Sequence, residues 1–496
     1  MLKVSKYFIF FGVLFLILSQ GCNDKNPQPP DEPPEPNDEL SAYKNVNDWI
    51  LEMMEVYYYW NKNIPEKTNK WLKPNEYFKS LLYKDDRFSW IQDNYLELLA
   101  SLSGVNTEAG YDYNLLLLCK DCAEVIGYIT YIKPGSPAAS ADLKRGDFFL
   151  EINGKQMTQD NINSLLGEEA SMPHTIGIAE FSGNNVKVSK TVSVSVDVIE
   201  ENPILLDTIY HIQDKKIGYF VYNFFAPGLE DVEYELELND VFGKFNEEPI
   251  DELIVDLRYN GGGAVSTAIS LASMISGKTS NDVFGYYEFN SLLDNYYKRE
   301  EGINYNVMNF VNDVISYDKN DKPIVHAQLN KLSGLNRVYF IVSFRTASAS
   351  ELVINCIRPY MGNNNVILIG MQTVGKNCGS FSIYESDPVK RQTNKWGMQP
   401  IVMKLSNSQR FSDFTDGFIP DIDISEWEDD DIKPLGDIDE LLLATTIDDI
   451  FGIPRPKRAN VGKRIEFIGS AIDKTPAREN MYIIPHDRKI DLYRRD

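Results

Sequence analysis

The sequence predicts a multidomain α/β protein in which a helical N-terminal region and a β-rich region precede a larger α/β core. A chain of 496 residues is long enough for about three domains. Residues 40–105 carry Trp, Tyr and Leu at helical spacing, whereas residues 106–200 alternate short β-type runs with Gly and Pro turns. From about residue 215 onward, apolar strands alternate with amphipathic helices, as in an α/β core.

The charge of the chain limits its partners. A formal net charge of -24 disfavours nucleic acids and anionic membrane surfaces, and is typical of a soluble body. The acidic stretch at residues 426–440 lacks the spacing of a calcium-binding loop and predicts a solvated loop.

The first residues predict export from the cytoplasm. Lys3 and Lys6 precede an apolar run at residues 7–18, which is shorter than a membrane span of ~20 residues and fits a signal peptide. The run ends in Leu-Ser-Gln-Gly-Cys, which resembles a bacterial lipoprotein signal and implies lipidation of Cys22. An ordinary secretory cleavage is the alternative. Residues 23–39, rich in Pro and acidic side chains, predict an extended tether to a membrane of the cell envelope.

The cysteines do not predict a disulfide framework, because the chain has only five. Cys119 and Cys122 form an isolated C-x-x-C without the further ligands of a zinc site. They predict either a local disulfide or two thiols at a strand edge. Cys378 has no obvious histidine partner and is interpreted as a semi-buried structural cysteine.

A lysine after a glycine loop raises the question of phosphate binding. Gly370, Gly375 and Lys376 follow an apolar strand, one residue short of a P-loop pattern. A P-loop needs Ser or Thr after the lysine and then a helix, but Asn377 follows here and the next residues alternate like a strand. Nucleotide binding is therefore disfavoured, and Lys376 needs another role.

A serine-rich turn offers a candidate nucleophile. Ser348 lies in Thr-Ala-Ser-Ala-Ser-Glu (346–351), between an apolar strand and a helix, with small neighbours that allow a substrate backbone to approach. Taken alone, the turn favours a helix N-cap with a Ser…Glu capping box. The chain has no Gly-x-Ser-x-Gly elbow, and none of its four histidines lies in these strand-loop segments.

The β-rich region resembles a PDZ domain through "GSPAASADLKRGDFFLEINGK" (135–155). The resemblance implies that a peptide C-terminus binds as an added strand, with its carboxylate held by backbone N–H groups of a glycine loop. That loop is placed at Gly110, Tyr111 and Asp112, followed by the peptide-binding strand at residues 114–118.

Further motifs in this order resemble the C-terminal processing, or tail-specific, serine peptidases, over residues 107–445. Residues 40–105 resemble the N-terminal region of the lipoprotein branch of that family. The motifs within residues 107–445 are "DLRYNGGG" (256–263), "RTASASE" (345–351), "GMQTVGK" (370–376) and "GFIPD" (417–421), and the N-terminal region ends in "DDRFSW" (85–90).

The resemblance implies a core of the crotonase-like kind in which Ser348 is the nucleophile and Lys376 its general base. A free lysine has a pKa of ~10.4, and a basic role requires about 7–8, which burial in an apolar site can produce. The strands at residues 338–342 and 366–369 would provide that surround if they are neighbours in a sheet. Neutral Lys376 would then activate Ser348 for attack on a peptide carbonyl, which gives an acyl-enzyme.

The same resemblance implies an oxyanion hole formed by the backbone N–H of Ser348 and that of Gly262 or Gly263. Ser380 stands where many members of the family carry a glutamine that orients the catalytic pair. Either Ser380 makes the equivalent hydrogen bond or a different residue does.

We therefore expect a lipid-anchored serine endopeptidase that recognises proteins near a free C-terminus, without metal or organic cofactor and without nucleic acid as a partner. The alternative is a non-catalytic lipoprotein that binds peptides or other ligands. The predicted segments are a lipoprotein signal peptide (1–22), a tether (23–39), a helical N-terminal region (40–105), a PDZ domain (106–200), a serine peptidase core (201–455) and a C-terminal tail without assigned role (456–496).

Overall fold

The computed structural model describes residues 38–119, 122–182, 185–229, 232–318, 322–428, 432–454, 467–471 and 481–483. The predicted signal peptide, Cys22 and the tether up to residue 37 lie outside these ranges, whereas residues 38 and 39 already belong to a helix. Within the described ranges no helix combines the length and the apolar character that crossing a membrane requires.

The N-terminal region is helical as predicted, with one added strand. Its buried aromatic side chains, among them Tyr58, Tyr77 and Phe78, join the hydrophobic cluster of the α/β core, so the region packs as part of the same body. Its elements are α1 (Asp38–Tyr57), α2 (Pro74–Leu81), β1 (Trp90–Gln92) and α3 (Tyr95–Leu102).

The middle region is an antiparallel sheet with its own hydrophobic cluster around Ile129, Phe149 and Ile176. Its helix α4 is a single short turn that ends at Ser140. The elements are β2 (Val105–Glu108), β3 (Tyr111–Leu117), β4 (Val125–Ile132), α4 (Pro137–Ser140), β5 (Phe148–Ile152), β6 (Lys155–Gln156), β7 (His174–Ser182), β8 (Asn185–Val194) and β9 (Asp197–Glu200).

The core alternates strands and helices as predicted. Its first part comprises β10 (Ile204–Ile212), β11 (Lys215–Tyr222), α5 (Glu233–Glu247), β12 (Glu252–Asp256), α6 (Val265–Ser276), β13 (Val283–Phe289), α7 (Ser291–Glu300), β14 (Val307–Asn309), β15 (Asp313–Tyr317) and β16 (Pro323–Gln328). Its second part comprises β17 (Val338–Val342), α8 (Ala349–Met361), β18 (Val366–Gly370), β19 (Cys378–Phe381), β20 (Ile383–Tyr384), β21 (Gly397–Gln399), β22 (Ile401–Asn407), β23 (Ile422–Asp423) and α9 (Leu441–Ile450). Two short strands follow, β24 (Phe467–Ser470) and β25 (Tyr482–Ile483).

The central sheet of the core has six strands in the order β10-β11-β12-β17-β18-β23. All pairs after β10-β11 are parallel, and β17 lies directly beside β18, which confirms the predicted neighbours. The carboxyl ends of β12, β17 and β18 lead into the glycine loop, the serine turn and the lysine loop. Because carboxyl ends of parallel strands share one edge of the sheet, the three motifs meet there.

A second sheet has the order β14-β13-β22-β19-β25, and β19 directly follows the lysine loop. A three-stranded sheet, β1-β21-β20, attaches the N-terminal region to this part of the core. The strand Trp90–Gln92, which helical spacing does not predict, forms because it pairs with Gly397–Gln399.

The prediction of a solvated loop at residues 426–440 is wrong for two of its acids. Glu426 accepts from Arg145 at 2.9 Å, and Glu440 accepts from Arg258 at 2.7 Å. All four side chains are buried, so each charge is neutralised by its partners. Burial acts to raise the pKa of Glu440, but the Arg258 and Arg145 charges outweigh it and hold that pKa below its usual value.

The cysteines agree with the structural interpretation. Cys119 and Cys122 are joined as a disulfide, which is the first of the two alternatives. Cys378 is buried, and burial raises the pKa of its thiol to about 12, so the thiol stays protonated at neutral pH.

Candidate active site

Ser348 occupies the turn between β17 and α8 in a strained backbone conformation. Its φ is +65°, a region that residues other than glycine rarely adopt. The residue is fully buried. Its Oγ faces the Glu351 N–H in a capping box but makes no full hydrogen bond among the described residues. Neighbours hold the turn, because Thr346 Oγ1 donates to Leu257 O at 2.8 Å and Ser350 Oγ donates to Asn260 O at 3.1 Å.

Lys376 lies in the loop that follows β18, and its side chain is buried. Lys376 Nζ lies over the face of the Phe88 ring, 4.6 Å from its centroid. Arg87 donates to Gly375 O and to Thr415 O, each at 3.2 Å. The N-terminal region therefore forms one wall of the site through the "DDRFSW" motif.

Glu351 joins the serine turn to the lysine loop. Its Oε2 accepts from the N–H groups of Ser348 and Lys376, each at 2.8 Å. Its Oε1 accepts from the Gly375 N–H at 2.7 Å and from the Thr373 hydroxyl at 2.5 Å. Burial raises the pKa of Glu351 against the opposing effect of these donors. The sequence signalled only the capping contact with Ser348, not the bonds to the lysine loop.

The glycine loop must be glycine where it approaches the serine. Gly262 and Gly263 have φ values of +118° and +138°. A Cβ at Gly262 would lie 2.6 Å from Ser348 Cβ and 2.9 Å from Ser348 Oγ. A Cβ at Gly263 would lie 2.0 Å from Phe225 O, so any side chain at either position collides.

The predicted oxyanion donors need a correction. The Ser348 N–H donates to Glu351, and the Gly262 N–H donates to Asn260 Oδ1 at 2.9 Å, so both are engaged. Within the described ranges, the N–H groups of Gly263 and Ala349 have no acceptor. The first N–H groups of a helix lack intrahelical partners, and Ala349 is the first residue of α8.

The Ala349 N–H is therefore a candidate oxyanion donor beside that of Gly263, and the oxyanion role of these groups stays a prediction. A Cβ built on Gly262 would lie 3.0 Å from the Ala349 nitrogen and 2.9 Å from Ser348 Oγ. These two groups therefore lie beside the same point of the glycine loop. The site thus has two N–H groups without acceptors, those of Ala349 and Gly263, and Gly263 is one of the predicted donors.

Ser380, the candidate for orienting the catalytic pair, lies beside an amide side chain. Its Oγ donates to Gln399 Oε1 and is 3.1 Å from Met481 O. Gln399 is fully buried and donates from Nε2 to Ser382 Oγ at 2.7 Å. The orienting role of Ser380 stays a prediction.

The predicted peptide-binding residues Gly110 and Tyr111 lie in the interior of the middle region. The Tyr111 hydroxyl is 2.9 Å from His174 Nε2, and its ring packs in the hydrophobic cluster rather than on an open groove. The Gly110 carbonyl accepts from the Lys133 N–H at 2.9 Å. The prediction that the backbone N–H groups of these two residues bind a peptide carboxylate stays a prediction.

The middle region and the serine turn are connected by a buried ion pair. Arg345, near the nucleophile turn, donates from Nη2 to Asp112 Oδ2 at 3.0 Å. Asp112 lies at the start of β3, so the strand expected to bind peptides is attached directly to the turn that holds Ser348.

A buried serine at a strained strand-to-helix turn, facing unpaired N–H groups and a lysine loop, defines a serine peptidase type of core. The family models agree in order along the chain. Residues 45–90 match the peptidase S41 N-terminal domain, residues 128–166 a PDZ domain and residues 216–424 peptidase family S41. Residues 216–424 therefore carry a peptidase family S41 domain, which an S41 N-terminal domain and a PDZ domain precede along the chain.

Individual relatives are more distant. The carboxy-terminal-processing protease of Bartonella bacilliformis is 23% identical over 247 residues, which are 49% of this chain and 46% of that protein. Carboxy-terminal processing protease CtpA of Bacillus subtilis is 24% identical over 278 residues, which are 54% of this chain and 49% of that protein. The chain spans about half the length of the curated relatives it matches.

A crystal structure of an S41 protease from Bacteroides fragilis shares the fold. It superposes with a TM-score of 0.64 at 24% identity, covering 82% of this chain and 98% of that one.

Proposed function

We propose that this protein is a serine endopeptidase in which Ser348 is the nucleophile and Lys376 the general base. The observation that carries the proposal is the environment of Ser348 Oγ, which is buried beside the glycine loop and makes no full hydrogen bond among the described residues. The same turn is attached through Glu351 to the backbone of Lys376. A residue that served only as a helix cap would have no need of a strained φ.

In the proposed reaction, neutral Lys376 takes the proton of Ser348 Oγ as this oxygen attacks the carbonyl carbon of a peptide bond. The carbonyl oxygen becomes an oxyanion, which the N–H groups of Gly263 and Ala349 stabilise. Lys376 returns the proton to the leaving amine, the C–N bond breaks, and an ester joins Ser348 to the substrate. Water then hydrolyses the ester with Lys376 again as the base.

We propose further that substrates are proteins recognised near a free C-terminus through the middle region. The ion pair between Arg345 and Asp112 supports a connection between that recognition and the nucleophile turn. The C-terminal processing proteases among the relatives are the second support.

The test is digestion of unfolded proteins with free or amidated C-termini by the purified full chain. Ser348→Ala and Lys376→Ala should each reduce cleavage by at least about a thousandfold. Amidation should slow cleavage by the unmodified enzyme. Binding of these substrates without cleavage between about pH 6 and pH 10 would favour the non-catalytic alternative.

For localisation, we propose a lipoprotein of the bacterial cell envelope anchored through Cys22. The signal-like residues 7–18 and the Pro-rich tether support it. Radioactive palmitate should label the expressed chain, and Cys22→Ala should abolish the label and release the protein from membranes. Equal labelling of both forms would reject the anchor.

A further inference from the structure

The first part of the C-terminal tail is bound to the strand expected to receive peptides. β24 pairs antiparallel with β3, with Phe467 opposite Leu116 and Ser470 opposite Asn114. β3 pairs with β4 along its other side, so β24 fills the edge that an added strand would use. Ile468 packs against the hydrophobic cluster of the middle region.

The second part of the tail lies inside the candidate active site. The Tyr482 N–H donates to Gly263 O at 3.1 Å, and the Ser380 N–H donates to Met481 O at 2.9 Å. A short backbone strand is thus held between the glycine loop on one side and β19 on the other. Met481, Tyr482 and Ile483 are all buried there.

The side chain of Tyr482 fills an apolar pocket with a polar end. The ring is clustered with Leu98, Leu102 and Ala264. Its hydroxyl donates to Leu102 O at 3.1 Å. Such a pocket suits an aromatic side chain, and it favours Tyr over Phe by one hydrogen bond.

We propose that a substrate polypeptide binds at these same two places, with an aromatic side chain in the Tyr482 pocket, and that the tail is a tethered competitor of substrate. The backbone contacts of both tail strands are available to any extended chain, since they use N–H and C=O groups. The inference that the competing ligand is a substrate rests on the proposed function. The inference that the tail competes with another polypeptide for these sites does not depend on the proposed function.

Binding measurements on the full chain carrying Ser348→Ala test the competition without cleavage. The probe is a fluorescent synthetic peptide of residues 467–496, followed by anisotropy. Tyr482→Pro in the chain removes the N–H that Gly263 accepts, whereas Gly469→Pro disturbs only the strand on β3. Each should tighten peptide binding at least about tenfold, because the tethered strand no longer occupies its place. Ile303→Asp, at an exposed position, is the control and should leave the affinity unchanged.

Peptide variants test the pocket without any risk to the fold of the protein. Replacing Tyr482 by Ala in the peptide should weaken binding at least about tenfold, and replacing it by Phe only a few-fold. Equal affinities of the three peptides would overturn the aromatic pocket. Unchanged affinity of the Tyr482→Pro and Gly469→Pro chains, both confirmed as folded by thermal unfolding, would show that the tail is a permanent part of the fold.

The two proposals fail in different ways. If the unmodified chain cleaves nothing but the chain variants bind the peptide more tightly, the peptidase proposal fails and the competition stands. If cleavage is normal and neither tail variant raises kcat/KM or peptide affinity, the competition fails alone. A Tyr482→Pro chain that does not fold leaves the Gly469→Pro chain and the peptide series to decide.

Discussion

The backbone N–H groups of Ser348 and Lys376 donate to the same oxygen, Oε2 of Glu351, each at 2.8 Å. The backbones of the two residues proposed to react are therefore held relative to each other by one buried carboxylate. Glu351 is in this sense a positioning residue, and its effect should appear in the rate of the chemical step rather than in substrate affinity.

We expect Glu351→Gln to lower kcat about tenfold to a hundredfold with little change in KM, because an amide cannot accept all four hydrogen bonds of the carboxylate. Steady-state kinetics on a peptide substrate would measure kcat and KM separately. Glu300→Gln, at an exposed position of α7, is the matched control and should behave like the unmodified enzyme. A normal kcat for Glu351→Gln would remove the positioning role.

A methyl group at Gly262 should eliminate activity. In Gly262→Ala the new Cβ would collide with Ser348 Cβ at 2.6 Å, at a φ of +118°. We expect kcat/KM to fall at least about a hundredfold through displacement of the nucleophile. Gly302→Ala also has a positive φ, of +88°, but its Cβ would meet nothing within 4 Å, so it controls for backbone strain and should retain activity. Equal effects of the two substitutions would contradict this account.

The ion pair between Asp112 and Arg345 should contribute to stability. Asp112→Asn leaves Arg345 buried without its anion, which costs about 3–5 kcal/mol of unfolding free energy. Chemical denaturation would measure the loss. Asp142→Asn removes the exposed partner of Lys190 and should leave the denaturation midpoint almost unchanged. Similar midpoints for both variants would show that the buried pair is not needed.

The middle region should lose stability in mild acid because of His174. Its Nδ1 donates to Met172 O at 2.7 Å, and its Nε2 accepts from the Tyr111 hydroxyl, so the neutral ring satisfies both neighbours. Burial lowers the pKa of His174 below its usual value. The unfolded chain takes up a proton near pH 6.5 while the folded chain does not, so stability falls as the pH drops below about 6.5.

Thermal unfolding between about pH 7.5 and pH 5.5 would show this as a decreasing Tm. His174→Gln should flatten the dependence even where it lowers the Tm at every pH. His211→Gln, at the exposed pair with Glu248, should leave the slope as it was. If the Tm of His174→Gln still decreases as the pH is lowered, other groups cause the loss of stability in acid.

The sequence predicted the placement of the motifs better than their hydrogen bonds. Glycine loop, serine turn and lysine loop each follow an apolar strand, and adjacency of β17 and β18 then brings them to one edge of the sheet. The choice of oxyanion donors depends instead on which N–H groups are already engaged by Glu351 and Asn260, and only the folded chain decides that.

Contacts between segments that are distant in the chain could not be predicted from the sequence either. Nothing in the acidic stretch at residues 426–440 indicates that Glu426 and Glu440 meet Arg145 and Arg258, because their partners lie far away in the chain. The tail had no recognisable motif, since pairing through backbone groups leaves little trace in side chains.

Phe88 and Arg87 place the N-terminal region against the lysine loop of the candidate active site. A form of the protein shortened to the residues after 105, by proteolytic trimming or by an internal start of translation, would retain Ser348 and Lys376. It would lack the Phe88 ring beside Lys376 Nζ and the Arg87 side chain that donates to the backbone of the lysine loop. Because the buried aromatic side chains of the N-terminal region belong to the hydrophobic cluster of the core, such a product would also expose part of that cluster, so loss of this region should cost stability as well as activity.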